Sequence, residues 1–367
     1  MRELTLREFK PKPLLRTAEH IPEKARFPAI DAHNHLFGEA PAAQLLRAMD
    51  AAGVAVFVNV TGNASLPFDG RGYTIRRRPL AEFIQNYCRP HPRRFACFTM
   101  AAFARWEEFT LFRTPENPSG DPRRWVEQCI AELEQDVRAG ARGLKVTKEL
   151  GLRFRDTDGS MIPVDDPRLA PIWRRAGELD IPVLIHTSDP LGFFLPADPT
   201  NEHTPTLLEF PGWSFVGSQF SKMELLAQRD RMIAAHPRTR FLCAHVANLP
   251  EDLAAVDRIL EEHPNTMIDF SARLDELGRQ PYSAREFFLK HQDRILFGVD
   301  MPVDPDVYRC YFRFLETRDQ YFEYPDYLGR WGRCRWRIYG LGLPERVLRK
   351  IYNKNALRVI PGLEGSL

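Results

Sequence analysis

Eight short apolar runs recur along this 367-residue chain, each parted from the next by a longer stretch whose apolar residues keep helical spacing. They cover residues 29–36, 54–60, 94–101, 143–148, 181–187, 239–246, 266–271 and 294–300. Strands buried on both faces read as near-continuous apolar segments, and strand alternating with helix implies parallel pairing through crossovers. Eight such units predict an α/β fold closed as a (β/α)8 TIM barrel. An open doubly wound sheet usually has fewer strands and begins on a glycine-rich phosphate turn. No G-x-G-x-x-G follows the first run and no G-x-x-x-x-G-K-[ST] occurs, so nucleotide binding has no support. Residues 1–26 are expected to form an N-terminal arm and 27–367 a single barrel domain. The long segments after the third and fifth runs, "TPENPSGDP" and "SDPLGFFLPADPTNEHTPTLLEFPGWSFVG", follow strand C-terminal ends, where long loops more often serve function than slack.

Composition narrows the partners. With 51 basic and 49 acidic side chains the net charge is +2, which implies no polyanion partner. The arginine clusters at 76–78 and 332–337 then read as solvated or salt-bridged faces rather than nucleic-acid contacts. The first twenty residues lack the continuous apolar core of a secretory signal, and no run reaches the roughly 20 apolar residues of a membrane span. Six scattered cysteines contain no C-x-x-C, and Cys97 and Cys243 fall inside apolar runs, as expected of buried reduced thiols in a cytoplasmic protein. A small-molecule substrate is the expected partner, without nucleic acid or membrane, and a homo-oligomer is compatible with these numbers.

Position along a barrel strand sorts the ten histidines, because catalysis sits at the C-terminal ends of the strands and stability at the other face. His91, His236 and His263 precede prolines just before strands, and His291 lies just before another, so these four mark helix exits on the far face. His33, His35, His186 and His245 close the first, fifth and sixth runs, and Asp300 closes the eighth. Period-two alternation in "AIDAHNHL" puts Asp31, His33 and His35 on one face, lining the barrel, and Ile30, Ala32 and Asn34 on the other. A lone strand-end histidine is more often a hydrogen-bonded core residue. Imidazoles and a carboxylate converging from four strands suit a borderline divalent ion, which takes neutral histidine nitrogen and carboxylate oxygen.

The segments "IDAHNH", "GARGLKV", "PVLIH", "FLCAH", "ILFGVD" and "IYNKNALRV", in that order from about residue 29 to 359, resemble the amidohydrolase superfamily. The likeness is to its amidohydrolase-related branch, which includes aminocarboxymuconate-semialdehyde decarboxylase and the resorcylate-type decarboxylases. The resemblance implies one divalent metal, commonly zinc, with Mn2+ or Fe2+ as alternatives, held by His33, His35, His186 and Asp300. It implies that His245 is an acid or base just outside the ligand set. Some superfamily members bridge two metals with a carboxylated lysine on the fourth strand. Lys145 lies on the inward face there, and reads first as a charged pocket residue, with Lys148 on the opposite face.

A bound divalent ion lowers the pKa of water to roughly 7 and polarises a carbonyl. Hydrolysis of a lactone, ester or amide is the leading expectation, with Asp300 accepting the water proton and His245 serving the leaving group. The alternative uses the same ligands for non-oxidative decarboxylation of a hydroxy- or amino-carboxylic acid. A third reading, a barrel that holds a metal or ligand without catalysis, fits poorly with a base beside an open coordination position. Asp31 either fixes a histidine or bonds to backbone. Arg273, sharing a face with Asp269 and Ser271, is the candidate grip for an acidic substrate, against an ion pair with Asp275 or Glu276. Phe193, Phe194 and Trp213 could roof a pocket or pack the lid onto the barrel.

Overall fold

The computed structural model describes residues 4–5, 8–9, 11–67, 72–105, 110–324 and 336–367. Its eight parallel strands are β1 (Ala29–Asn34), β2 (Val54–Asn59), β3 (Phe95–Cys97), β4 (Leu144–Val146), β5 (Val183–Ile185), β6 (Phe241–Cys243), β7 (Thr266–Asp269) and β8 (Ile295–Leu296). One ladder runs β1-β2-β3 and the other β8-β7-β6-β5-β4. Two pairs of hydrogen bonds join them into a ring. Thr99 N donates to Gly143 O (2.9 Å) and Lys145 N to Thr99 O (2.7 Å), while Ala32 N donates to Phe297 O (2.9 Å) and Asp300 N to His33 O (3.0 Å). The fold is therefore a TIM barrel, whose closure leaves no sheet edge exposed. Every strand lies inside an expected run, but each is shorter, because the C-terminal residues of the runs leave the ladder at the rim.

The helices that follow the eight strands around the barrel are α1 (Ala42–Ala52), α2 (Leu80–Phe83), α3 (Pro122–Ala139), α4 (Ala170–Glu178), α5 (Lys222–Ala235), α6 (Leu253–Glu262), α7 (Pro281–Lys290) and α8 (Pro305–Glu316), with shorter helices in the loops and at the C-terminus. Local chemistry starts several of them. Asp121 accepts from Arg123 N with Pro122 at the first position of α3, Ser221 and Glu224 form a capping box on α5, and Asp304 caps α8 ahead of Pro305. His236, His263 and His291 sit at the C-terminal caps of α5, α6 and α7, as helix exits should.

Strand residues sort into two layers. Val54, Phe57, Leu144, Val146, Val183, Ile185, Phe241, Ile268 and Ile295 face outward and pack against the helices. Ile30, Val56, Val58, Leu184, Leu242, Met267 and Leu296 fill the barrel, plugged at the strand starts by Ala356, Val359 and Ile360. Truncating a buried leucine of this kind to alanine costs about 2–5 kcal/mol.

In β1 the alternation breaks. Asp31 pairs with Phe57 but Asn34 with Asn59, so β1 carries one extra residue over that interval, a β-bulge. Ile30 and Ala32 belong to the barrel interior, and Asp31 turns outward, where Tyr308 of α8 donates to its Oδ2 (2.7 Å). Only after the bulge do His33 and His35 face inward, so the expectation that all three share one face is corrected.

Residues 11–28 contain neither helix nor strand, and His20 ties them to Asp319 (2.6 Å). Cys97, Cys129 and Cys243 are fully buried. The arginines at 77 and 78 pair with Glu132 and Glu39, while the second cluster lies outside the described residues except for Trp336 and Arg337, the latter paired with Glu323. Among the described residues no helix is long and apolar enough to cross a membrane.

Candidate metal centre and substrate cavity

A cavity of about 460 Å³ opens at the C-terminal ends of the strands. Its floor holds His35, His186, His245, Asp300 and Lys145, and its upper walls include Phe37, Tyr73, Phe193 and Trp213. The ring of Phe193 stacks on Trp213 at 6.1 Å, whereas Phe194 turns away to pack on Phe215. The segment after β5 thus supplies both a roof and its support.

Hydrogen-bond partners identify which nitrogen of each neutral imidazole keeps its lone pair. His33 Nδ1 lies 2.9 Å from Asp269 Oδ2, an acceptor, so Nδ1 carries the proton and Nε2 the lone pair. Lys145 Nζ donates to that Nε2 at 3.2 Å. His35 Nδ1 meets Thr61 Oγ1 (2.9 Å), whose hydroxyl donates to Asn59 Oδ1, so His35 Nε2 is free to coordinate and lies 3.4 Å from Asp300 Oδ1. His245 Nδ1 donates to Ser271 O (2.8 Å), leaving Nε2 buried without a hydrogen-bond partner, 3.6 Å from Asp300 Oδ2. His186 is reversed: its Nε2 donates to Ser188 O (3.0 Å), which leaves the lone pair on Nδ1. Burial lowers His186 to about 3 and holds His35 and His245 well below the ordinary imidazole range.

Donor atoms of His33, His245 and Asp300 all lie within 4.8 Å of one another, and the His186 ring is 4.4 Å from that of His245. Neutral imidazoles with oriented lone pairs, one carboxylate and an orphaned buried nitrogen form a donor set that fits a divalent ion. The tight group includes His245, which was expected outside the ligand set, and neither His35 nor His186.

Two backbone features aim these side chains. Leu242 of β6 and Ala244 just after it face inward, so strict alternation would turn His245 outward; four successive residues, His245 to Asn248, instead adopt left-handed φ of 52–57°. Asp300 also has φ of 48°. Left-handed non-glycine residues cost free energy and gather at functional sites. Gly298 lets β8 approach β1, since a Cβ there would sit 2.9 Å from His33 Cβ and 3.0 Å from His33 N.

Sequence reasoning passed over four residues. Asp269 accepts from His33 Nδ1, from Ser271 N (3.0 Å) and from His245 N (3.2 Å), and Ser271 Oγ touches both His33 and His245 Nδ1 at 3.0 Å. Burial alone would raise the Asp269 carboxyl, but the neighbouring His33 and these hydrogen bonds hold it at about 2. Asp189, after β5, ion-pairs with Lys148 and contacts His186 Nε2 (3.3 Å). The shared face of 269, 271 and 273 was the available signal for the first pair, and Lys148 was placed at the end of the fourth run but on the other face; nothing local marked Asp189.

Lys145 and Arg273 both line the cavity, as expected. Lys145 is 1% exposed, and burial lowers it to about 8. Lys148 lines the same cavity, contrary to the expected opposite face, because β4 ends at Val146 and the alternation ends with it. Arg273 reaches Asp189 at 3.5 Å, and Glu276 and Asp275 also act on it through space. Asp31 touches no histidine. It accepts from Asn34 Nδ2 (2.7 Å), Tyr308 Oη and Val299 N (3.2 Å), and burial raises it to about 7.

A family model described as amidohydrolase matches residues 120–362, more than half of the chain. No curated protein matches it. Among solved structures, 2,6-dihydroxybenzoate decarboxylase from Rhizobium is similar at 18% identity and a TM-score of 0.50, covering 91% of this chain and 98% of that one. A dihydroxybenzoic acid decarboxylase from a Polaromonas species, solved with manganese and the inhibitor 2-nitroresorcinol, is similar at 16% identity and a TM-score of 0.51, covering 91% and 96%. At such identities the likeness is one of fold.

Proposed function

The chain belongs to the amidohydrolase family, and from that premise we propose that it is a divalent-metal-dependent, non-oxidative decarboxylase of a hydroxy-substituted aromatic carboxylic acid. The observation that carries the reading is a single cavity in which imidazole lone pairs and Asp300 stand beneath aromatic walls. Two similar folds act on dihydroxybenzoates, which favours this reaction over the hydrolysis that the strand-end residues first suggested. Nε2 of His33, His35 and His245, Nδ1 of His186 and a carboxylate oxygen of Asp300 would hold the ion. When bound, it supplies the positive charge that grips carboxylate and hydroxyl oxygens. A histidine-rich donor set suits zinc, and manganese is the competitor.

The chain's own residues supply the rest. Tyr73, Phe193 and Trp213 clasp the ring and exclude water. Loss of carbon dioxide leaves an electron pair on the ring carbon, which must gain a proton. His245 Nε2 carries a lone pair and accepts, so it is the wrong partner for that step. The Lys145 ammonium, buried on the cavity floor, is the donor at hand. The test is to incubate metal-loaded protein with dihydroxybenzoates, aryl esters and lactones, following carbon dioxide and acid release together. Carbon dioxide release that disappears in Lys145→Met with metal retained supports the reading. Ester or lactone cleavage without decarboxylation would establish the hydrolytic alternative, in which Asp300 takes the water proton.

A further inference from the structure

Resting on the aromatic-acid reading above, we propose that the substrate carries a second anionic group on its ring, and that Lys148 and Arg273 form the subsite that receives it. Both cations line the cavity, at 6% and 7% exposure. Both converge on one carboxylate: Lys148 Nζ pairs with Asp189 Oδ2, and an Arg273 terminal nitrogen reaches Asp189 Oδ1 only at 3.5 Å. Arg273 otherwise donates to Ala272 O (2.6 Å), and its Nε is buried with no hydrogen-bond partner.

Lys148 and Arg273 thus set two cations against one carboxylate, Asp189, in this part of the cavity wall. Glu276, Asp275 and Glu251 also act on Arg273 through space, but none of them lines the cavity. Lys222, adjacent to Asp189, is matched by Glu251 (3.2 Å). Asp275 and Glu276 lie outside the cavity lining, and burial together with the neighbouring Asp275 raises the Glu276 carboxyl well above its ordinary range. A cavity-lining guanidinium whose terminal nitrogen reaches its carboxylate only at 3.5 Å gains a charge-assisted contact from an incoming oxyanion.

The subsite also lies beneath the roof rather than on the floor. Lys148 Nζ stands 5.6 Å from the Tyr73 ring centroid and 5.4 Å from that of Phe215. A ring held between the aromatic walls would thus direct one carboxylate to the histidine floor and a second oxyanion to this wall.

The test compares two inert ligands, benzoate and benzene-1,3-dicarboxylate, by calorimetric titration of the metal-loaded protein. The dicarboxylate is expected to bind about tenfold tighter or more, the gain from one charge-assisted contact. Arg273→Gln and Lys148→Met should each erase that margin while leaving benzoate affinity as it was. Thermal unfolding of both variants shows whether they are folded, and the parent's two-ligand comparison needs no variant at all. Equal affinity for the two acids overturns the second subsite alone. Failure of both acids to bind overturns the aromatic-acid reading, and this inference with it.

Discussion

Replacing Asp269 by asparagine keeps the side chain's volume and removes its charge. The carboxylate now accepts from His33 Nδ1 at 2.9 Å on one oxygen, and from Ser271 N (3.0 Å), Ser271 Oγ (2.5 Å) and His245 N (3.2 Å) on the other. An amide offers one accepting oxygen and one donating nitrogen. If the oxygen serves Ser271 and His245, the nitrogen meets His33 Nδ1 donor to donor. The ring escapes by moving its proton to Nε2, the atom that would hold a metal. A lost charge-assisted hydrogen bond costs about 1.5–3 kcal/mol, roughly a 10–150-fold change in affinity. Removing a partner that orients a metal-binding histidine typically costs about 10–100-fold, so the two estimates agree.

Competition between the protein and a chelator for zinc should therefore give a Kd raised by about 10–100-fold in Asp269→Asn. Stability supplies a second readout. A carboxyl held at about 2 instead of its ordinary ~3.9 contributes on the order of 2 kcal/mol. That contribution is fully present above about pH 4 and is lost as the pH falls through about 2. Urea unfolding of the metal-free proteins should separate parent from variant at neutral pH and bring them together in strong acid. An unchanged zinc Kd would refute the claim that Asp269 sets the His33 tautomer.

Three other outcomes are expected. Gly298→Ala should weaken zinc binding in the same chelator assay, because the new Cβ would stand 2.9 Å from His33 Cβ and force β1 and β8 apart; undiminished affinity would show that the strands can yield there. Tyr308→Phe removes a hydrogen bond to the buried Asp31 and should cost about 1–3 kcal/mol in urea unfolding. Asp31 is raised to about 7, so the stability it contributes is fully present below about pH 4 and is lost as pH rises through about 7; the loss should deepen in the variant, since Tyr308 helps to lower that carboxyl. Chelating the metal should lower Tm, with a loss of about 4 kcal/mol if the ion was present at a thousandfold excess over its Kd.

Much of the fold was legible because a strand's two faces are a local, period-two property. Val183, Leu184 and Ile185 sort into outer and inner layers as alternation requires, and His186 continues the series into the cavity. The closing ends of the runs likewise brought His33, His35, His186, His245 and Asp300 to one rim. Partnerships were less legible. Asp269 lies 236 residues from His33 and Asp189 lies 84 from Arg273, so no window of sequence contains either contact.

The sequence by itself determined the eight βα units and the face of the barrel that bears chemistry, since both follow from apolar spacing and from position along a strand. The tertiary structure decided how the alternation is broken. An extra residue in β1 turns Asp31 toward Tyr308 and His33 toward the cavity, and a run of left-handed residues after β6 swings His245 inward. Bulges and strained turns of this kind are set by register with neighbouring strands and by packing against them, and the barrel must close before either can be settled.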